Sequence, residues 1–249
     1  MIDIHCHLLP GIDDGPGVVA DAIAMAKVAV EAGITTTICT PHMIAQYPNL
    51  PEDVVSGVDA FRAELASAGV DLEIVPGGEI SMDWLPRMSD DAVRAATFGG
   101  NGRWILLEVP FQGWPIHLPA MLTDLEIRGF GVVLAHPERN SSVQASPDRM
   151  REIVGRGALV QLTASSFTGD HGPRARQAAE ALLRNGMAHF LASDAHSATW
   201  RPPELLPGLE AAADAIDSTP DALRWMVDDG PRALLAGGAV RPPRLGLRR

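Results

Sequence analysis

The chain has 249 residues, of which 46% are hydrophobic and 20% are charged, a composition typical of globular proteins. Acidic residues outnumber basic ones by 31 to 20, giving a net charge of −11 at neutral pH, and a field of this sign repels nucleic acids and anionic membranes. No apolar run approaches the roughly 20 residues that a bilayer-spanning helix needs, and the N-terminus lacks the basic and apolar segments of a signal peptide. We therefore expect a cytoplasmic protein with no nucleic-acid partner and no membrane insertion.

The opening segment predicts a short strand that leads into two histidines. Residues 2–4 are apolar, and His5 and His7 follow, two residues apart. Side chains two apart in an extended backbone lie on the same face, so both imidazoles can reach one spot, as a transition-metal site requires. The acidic turn at Asp13 and Asp14 offers an oxygen ligand. Such histidine pairs are equally often surface or hydrogen-bonded residues, so this motif alone leaves metal binding open.

The rest of the chain alternates between predicted strands and helices. Apolar and β-branched runs predict seven strands, at 2–4, 34–39, 72–75, 104–107, 131–135, 158–162 and 188–192. Helical spacing and Gly or Pro at segment ends predict helices at 18–32, 51–68, 82–96, 118–128, 147–156, 173–185, 203–216 and 220–236. This alternation predicts a parallel sheet. The chain length and the lack of a dinucleotide-binding fingerprint favour a closed α/β barrel over an open sheet.

The composition along the chain indicates one domain and a distinct C-terminal segment. No internal repeat or linker divides the chain, so we expect a single domain over residues 1–238. Residues 239–249 contain four arginines and two prolines, and we expect them to form a solvated, mobile tail.

Residues that can bind metals stand at or just past the carboxyl ends of the predicted strands. They are His5, His7, His42, Glu79, Glu108, His136, Asp194 and His196. Strand ends of this kind meet on a single face of a parallel barrel. Each residue alone has an ordinary explanation, such as a helix cap or a hydrogen-bonded core histidine, but six strand ends that all offer ligands point to a shared site. Together with an acid from the 13–14 turn, these residues are more than the about four ligands that one ion needs. The combination of imidazole and carboxylate ligands suits manganese, iron or zinc.

Several motifs resemble those of the polymerase-and-histidinol-phosphatase (PHP) family. They are His5-x-His7, Pro41-His42, Gly78-Glu79, Glu108, the run His136-Pro137-Glu138-Arg139 and the run Ser193-Asp194-Ala195-His196. More narrowly, MIDIHCHLLPGIDDGP, AHPER, QLTASSFTG and HFLASDAH are similar to the bacterial manganese-dependent protein-tyrosine phosphatases of capsule and exopolysaccharide operons, the CpsB/CapC/YwqE type. The resemblance covers nearly the whole chain and implies a distorted seven-stranded (β/α) barrel, the PHP fold, with three Mn²⁺ ions.

The ligand set implied by this resemblance divides among the three ions. The first ion would take four residues: His5, His7, Glu79 and Asp194. The second would share Glu79 and add two more: Glu108 and His136. The third would take Asp14, His42 and His196. Many relatives have a second histidine where this chain has Met43, a position that we expect not to be a primary ligand.

The resemblance also implies hydrolysis of phosphotyrosine without a covalent intermediate, by attack of a hydroxide that bridges metal ions. The alternative cysteine route needs an arginine six positions after the thiol, and neither Cys6 nor Cys39 has one. Arg139 and Arg201 match arginines that bind phosphate in the relatives, because guanidinium groups hold phosphate oxygens bidentately. We count Glu108 with these two arginines as a catalytic residue.

Four aromatic residues lie in predicted loops at the strand ends: Tyr47, Phe111, Trp114 and Trp200. Some of them could flank the phenyl ring of a substrate, and core packing explains them equally well. Three further histidines have no matching role and are treated as structural or surface residues: His117, His171 and His189.

The expected partner is a phosphotyrosine protein, specifically a bacterial tyrosine kinase that regulates capsule or exopolysaccharide synthesis. An alternative keeps the barrel and metals but changes the substrate to a small phosphomonoester such as histidinol phosphate. Nuclease work, as in polymerase-linked relatives, is disfavoured by the net charge of −11. An inactive binding module is disfavoured by the intact ligand set. The sequence leaves the oligomeric state open.

Overall fold

The structure, a computed structural model, describes residues 1–241. Its strands are β1 (Ile2–Cys6), β2 (Thr36–Cys39), β3 (His42–Met43), β4 (Glu73–Pro76), β5 (Glu79–Ser81), β6 (Trp104–Glu108), β7 (Gly131–Ala135), β8 (Leu159–Thr163) and β9 (Phe190–Ala192). Its α-helices are α1 (Val19–Glu31), α2 (Pro51–Ser67), α3 (Asp90–Ala95), α4 (Leu118–Ile127), α5 (Ser141–Ala145), α6 (Met150–Gly155), α7 (Ala164–Thr168), α8 (Pro173–Arg184), α9 (Leu206–Ala215), α10 (Pro220–Leu223) and α11 (Asp229–Leu235). Short 3₁₀ turns lie at Leu85–Arg87, Phe98–Gly100, Pro137–Arg139, Pro147–Arg149 and Arg224–Val227.

All paired strands are parallel, and they form two sheets. One sheet has the order β1-β2-β4 and the other the order β3-β5-β6-β7-β8-β9. Strands β2 and β4 pair in the first sheet, and their continuations β3 and β5 pair in the second. On the opposite side, Cys6 of β1 forms a bridge with Ala195 just beyond β9. The strands therefore occupy seven positions around a distorted barrel, and the predicted parallel α/β fold is confirmed.

The interruptions between the two sheets follow from three residues. Pro41, between β2 and β3, has no N–H to donate to a ladder. Gly77 and Gly78 separate β4 from β5, and a Cβ atom there would lie 2.9 Å from Ile38 Cγ2 and 2.5 Å from Met43 Cε respectively. The backbone of this break thus lies directly against buried side chains. Met43 is fully buried here. The side chain that stands in place of a second histidine therefore packs in the protein interior.

Two hydrophobic clusters lie on the two faces of the strands. The inner cluster includes Leu106 of β6, whereas its neighbours Ile105 and Leu107 belong to the outer cluster. Side chains of α1, α2, α4 and α8 complete the outer cluster. Burial of apolar surface on both faces is the expected pattern for a parallel sheet that is covered by helices.

Strand β1 contains a bulge that determines where its histidines point. Asp3 is opposite Thr37, whereas Cys6 is opposite Cys39, so three steps on β1 face two on β2. A bulge of this kind re-aims the side chains that follow it. Ile4 accordingly packs in the inner cluster and Cys6 in the outer one, which leaves the histidines on either side of Cys6 to face the interior.

All seven predicted strands are present, with ends that differ by at most two residues from the predicted ones. The sequence did not predict β3 and β5, because strands of two and three residues are too short to show a period of two. Both hold predicted site residues, since His42 of β3 pairs with Glu79 of β5. Sequence reasoning therefore placed these residues correctly after β2 and β4 but missed the strands that fix them.

Four predicted helices differ from the structure. The helix predicted at 147–156 opens with the 3₁₀ turn Pro147–Arg149, and α6 begins only at Met150. The helix predicted at 82–96 is wrong over its first half, where a 3₁₀ turn around Pro86 precedes α3. The helix at 203–216 begins only at Leu206, because Pro207 favours the first turn of a helix. The helix at 220–236 is divided into α10, a 3₁₀ turn and α11, with Pro231 in the first turn of α11. Proline is the physical reason in each case.

The division into a domain over 1–238 and a tail over 239–249 stays a prediction. Residues 242–249, which make up most of that tail, lie outside the described residues. Within residues 1–241, the helices are all too short or too polar to cross a bilayer.

Candidate metal centre

The nine side chains predicted as metal ligands lie together at the carboxyl ends of the strands. Four groups of them each bring their ligand atoms within 4.8 Å of one another. The groups are His7, Asp14, His42 and His196; His5, Glu79 and His136; His5, His7 and Asp194; and His42, Glu79 and Glu108. Because these groups share members, the nine residues form one continuous centre.

The two histidines of the opening motif point at the same spot, as their spacing predicts. Their Nε2 atoms lie 3.2 Å apart. Behind them, His5 Nδ1 donates to Gln161 Oε1 at 3.0 Å and His7 Nδ1 donates to Asp13 Oδ2 at 2.7 Å. Hydrogen bonds at Nδ1 orient each ring and leave the Nε2 lone pair facing the centre. Sequence reasoning assigned no role to Gln161 and considered Asp13 only as an alternative oxygen ligand.

Glu79 lies in the middle of the imidazoles. Its side chain is fully buried, with Oε1 2.9 Å from His136 Nε2 and 3.4 Å from His5 Nε2. Its other oxygen, Oε2, lies 2.8 Å from His42 Nδ1 and 3.4 Å from His7 Nε2. One carboxylate therefore contacts four rings that come from three different strand ends.

The distances in this centre fit bound cations better than they fit hydrogen bonds. Glu79 Oε2 and His42 Nδ1 are both buried and lack a hydrogen-bond partner within the described residues, although they lie 2.8 Å apart. His5 Nε2 and His7 Nε2 face each other at 3.2 Å. Ligand atoms about 2.1 Å from one ion lie roughly 3.0 to 3.4 Å apart in octahedral or tetrahedral coordination. The donor atoms are thus spaced as a shared cation would require.

Asp194 links the metal-type ligands to two arginines. Its Oδ1 lies 3.4 Å from the Nε2 atoms of His5 and His7. Its Oδ2 accepts from Arg139 Nη1 at 2.6 Å and forms an ion pair with Arg201 Nη2 at 2.5 Å, while Arg201 Nη2 also donates to the Asp194 backbone O at 2.7 Å. Burial opposes its ionisation, but His5, His7 and Arg201 hold the pKa of Asp194 well below its usual range. The carboxylate is therefore ionised, and it places both guanidinium groups beside the centre.

Two of the residues at the strand ends have left-handed backbone conformations. His136 has a φ of 32° directly after β7, and Asp194 has a φ of 51° just after β9. Conformations of this kind are uncommon for residues other than glycine and cost about 1–3 kcal/mol. The surrounding contacts, including the Asp194 N–H donated to His5 O at 2.8 Å, hold the strained backbone in place.

The remaining ligands lie on opposite sides of the centre. Asp14 is 47% exposed, and its Oδ1 lies 3.4 Å from His42 Nε2 and 3.3 Å from His196 Nε2. Glu108 lies deeper, and its nearest imidazole nitrogen, His136 Nε2, is 3.9 Å away. Burial and the neighbouring Glu79 raise the pKa of Glu108 to about 8. This carboxyl therefore holds a proton at neutral pH when no cation is present, and a bound cation would displace it.

Three of the four aromatic loop residues lie beside imidazoles of the centre. The ring centroids are 6.2 Å apart for Tyr47 and His42, 5.7 Å for Phe111 and His136, and 6.2 Å for Trp200 and His196. Phe111 and Trp200 are 42% and 66% exposed. Trp114 differs, because it packs against the outer hydrophobic cluster with the Arg149 guanidinium 5.7 Å above its ring.

Two pockets open beside the centre. One, of about 390 Å³, is lined by Arg139, Arg201, Ser165, His171 and Trp200 among others. The other, of about 330 Å³, is largely apolar and is lined by Glu108 and Phe111 among others. His171 thus lines a site pocket, where its Nε2 lies 3.0 Å from Ser165 Oγ.

Of the other histidines without a predicted site role, His117 is exposed before α4 and His189 is structural. His189 is buried, and its Nδ1 accepts from the Val160 N–H at 3.1 Å. Residues 163–166 lie where β8 passes into α7, and there the Thr163 N–H and the Ser166 hydroxyl donate to the buried Glu138 carboxyl.

A parallel α/β barrel whose strand ends gather imidazoles and carboxylates has the architecture of a metal-dependent hydrolase. A sequence profile of the family described as "Capsular polysaccharide synthesis, CpsB/CapC" matches residues 1–223. The chain belongs to the CpsB/CapC family.

Individual relatives agree with this assignment. The chain is 37% identical over 202 residues to the tyrosine-protein phosphatase YwqE of Bacillus subtilis, covering 81% of this chain and 79% of that protein. It is 26% identical over 213 residues to the tyrosine-protein phosphatase CpsB of Streptococcus agalactiae, covering 82% and 86%. A solved structure from work on the metal-dependent tyrosine phosphatases YwqE of Bacillus subtilis and CpsB of Streptococcus pneumoniae superimposes with a TM-score of 0.86, 31% identity and full coverage of both chains.

We expect Glu79→Gln to remove the shared carboxylate charge while keeping the size of the side chain. Residues that merely orient ligands contribute 10- to 100-fold to metal affinity, so the loss of a ligand that faces four imidazoles should lower Mn²⁺ affinity by at least about 100-fold, or roughly 2.8 kcal/mol. Isothermal titration calorimetry measures this change. The control is Glu52→Gln, an exposed carboxylate on α2, and equal Mn²⁺ affinity of the two variants would contradict the prediction.

Proposed function

We propose that this chain is a metal-dependent protein-tyrosine phosphatase that hydrolyses phosphotyrosine on a protein substrate. One observation carries the proposal: Arg139 and Arg201 bind the same carboxylate oxygen of Asp194, while the other oxygen faces His5 and His7. Phosphate-binding cations and metal-type ligands therefore meet at one carboxylate. The tyrosine-phosphatase names of the relatives support this function.

The proposed cofactor is Mn²⁺, with three ions held by the nine residues of the centre. The first set is His5, His7, Glu79 and Asp194; the second is Glu79, Glu108 and His136; the third is Asp14, His42 and His196. Overlapping groups of imidazole and carboxylate atoms support more than one ion. Ions bound there would lower the pKa of a water molecule to give the nucleophile and would neutralise charge on the phosphate.

The two arginines are proposed to hold the phosphate. Each side chain is 19% exposed and lines the pocket of about 390 Å³ beside the centre. Asp194 takes one Nη atom from each guanidinium, so N–H groups remain on each that can donate to phosphate oxygens. A planar guanidinium donates two parallel hydrogen bonds to such oxygens and keeps its charge at every physiological pH. The arginines thus orient the phosphate without taking part in proton transfer.

Phe111 and Trp200 are proposed to flank the phenyl ring of the substrate. Both are exposed, and each lies beside a different imidazole of the centre. Aromatic rings associate in stacked or edge-to-face arrangements that are worth about 0.5–1.5 kcal/mol. A phenolate also leaves more readily than an alkoxide, so cleavage of phosphotyrosine needs no dedicated general acid. Glu108 is proposed to act in catalysis through its metal-facing carboxyl.

The proposed substrate is a bacterial tyrosine kinase that acts in capsule or exopolysaccharide synthesis, and the proposed location is the cytoplasm. The description of the family as one of capsular polysaccharide synthesis supports this partner.

The function is tested by assaying a phosphotyrosine peptide and histidinol phosphate in parallel, with Mn²⁺ present. We expect the peptide to have the higher kcat/KM, and we expect activity to be abolished by a chelator and only weakly affected by vanadate. Faster turnover of histidinol phosphate would identify a small-molecule phosphatase instead. Activity that survives the chelator and is lost to vanadate would contradict the metal-dependent route.

We expect Arg139→Lys and Arg201→Lys to lower kcat/KM for the phosphotyrosine peptide. Lysine keeps the charge but loses the bidentate geometry, and a hydrogen bond to a charged group contributes about 1.5–3 kcal/mol, or roughly 10- to 100-fold. Steady-state kinetics measure the effect. Arg149→Lys is the control, because Arg149 is exposed and its guanidinium lies over Trp114. If all three variants keep the wild-type kcat/KM, the arginines do not hold the phosphate.

We expect Phe111→Ala to raise KM for the phosphotyrosine peptide by roughly 2- to 12-fold, the equivalent of one aromatic contact of about 0.5–1.5 kcal/mol. Ile116→Ala is the matched control, since Ile116 lies on the same loop and is 76% exposed. An unchanged KM in the Phe111 variant would remove this residue from the substrate site.

A further inference from the structure

Asp13 lies just behind the metal centre and is not one of the proposed ligands. Its side chain is fully buried. Its carboxylate accepts three hydrogen bonds, from His7 Nδ1 at 2.7 Å, from the His42 N–H at 3.0 Å and from the Gly15 N–H at 3.0 Å. A single carboxylate thereby connects the end of β1, the start of β3 and the turn between β1 and α1.

The turn that carries Asp13 packs directly on β1. A Cβ atom at Gly15 would lie 2.3 Å from His7 O, so only glycine permits this approach. The turn then presents Asp14 to the other side, where its Oδ1 lies within 3.4 Å of His42 Nε2 and His196 Nε2. The position of Asp14 thus depends on the same turn that Asp13 fixes.

These contacts concern one ligand group more than the others. The group His7, Asp14, His42 and His196 has three members that Asp13 places: one through its ring, one through its backbone N–H and one through the turn. The side chains of Glu79, Glu108, His136 and Asp194 form no hydrogen bond with Asp13 within residues 1–241. Where His7 takes part in the inner group, the carboxylates of Glu79 and Asp194 also face its ring.

We propose that Asp13 is the positioning residue that assembles this outer cation site, and that its carboxylate is needed for that site while the inner sites form without it. The proposal rests on the proposed metal dependence of the chain. The proposal concerns the third ion alone. It therefore predicts a change in Mn²⁺ binding that differs from that of Glu79→Gln, which removes a shared ligand.

Asp13 holds the site by accepting hydrogen bonds from three N–H groups. A carboxylate accepts from all three N–H groups at once, whereas asparagine offers one acceptor oxygen and an NH₂ group. In Asp13→Asn at least one N–H group therefore faces another donor. Loss of the bond from the Gly15 N–H would release the turn that presents Asp14, and loss of the bond from the His42 N–H would release the start of β3, which holds His42.

The experiment compares Mn²⁺ binding to the wild-type chain, Asp13→Asn, Asp14→Asn and the control Asp71→Asn by isothermal titration calorimetry and metal analysis. Asp71 is exposed and remote from the centre, so its variant makes the same change in net charge and should bind as wild type. We expect Asp13→Asn to weaken one class of site by about 10- to 100-fold, the same class that Asp14→Asn removes, and to keep the other ions.

The results of this Mn²⁺-binding experiment distinguish failure of the Asp13 proposal from failure of the metal-dependent phosphatase proposal on which it rests. Wild-type affinity at every site in a folded Asp13→Asn chain would overturn the role of Asp13 and leave the phosphatase proposal intact, as would loss of all ions together. A wild-type chain that binds no Mn²⁺ would overturn both.

A second measurement does not depend on whether the variant folds. Nitrogen-15 NMR of the metal-free wild-type chain reports which ring nitrogen of His7 carries the proton. A proton on Nδ1 is expected, and a neutral ring protonated at Nε2 would overturn the proposal.

Discussion

The structure depends on one buried carboxylate among imidazoles. Glu79 is fully buried, and the residues within 4 Å of its oxygens that could neutralise it are histidines, with no lysine or arginine among the described side chains. An isolated buried charge costs several kcal/mol unless it is paired. Burial lowers the pKa of His42, but Asp14 and Glu79 raise it to about 10. Protonated imidazole can therefore pair with the carboxylate in the metal-free chain, and bound cations would displace those protons. Asp194 differs, because two arginines neutralise it.

The side chains behind the ligands explain why so many polar groups can be held in one place. Gln161 Oε1 accepts from His5 Nδ1 and also from the His136 N–H at 3.3 Å. Asp3 accepts from the Ser193 N–H at 3.0 Å and from the Ser193 hydroxyl, which fixes the loop just before Asp194. A neutral amide and buried carboxylates therefore orient the rings from outside, and no ligand depends on its rotamer preference alone.

The contrast between Glu79 and Asp194 also suits the proposed chemistry. Glu79 lies among rings that come from three strand ends, whereas Asp194 lies at the border between the cation-binding residues and the pocket that contains Arg139 and Arg201. A phosphate in that pocket would meet positive charge on both sides. Preorganised charge of this kind stabilises the transition state without reorganisation during the reaction.

The sequence by itself determined the parallel α/β fold, the seven main strands and eight of the nine residues that meet at the strand ends, while the choice of Asp14 over Asp13 rested on the family resemblance. This was possible because the carboxyl ends of parallel strands converge, so residue type and strand order alone carry the information. Only the tertiary structure decided how those residues are held. The bulge in β1, the short strands β3 and β5, and the roles of Asp13 and Gln161 leave no periodic signal, since each depends on contacts between segments distant in sequence. The packing of Met43 against Gly78 and of Trp114 against the outer cluster was decided in the same way, because an apolar side chain reveals its surroundings only when the chain is folded.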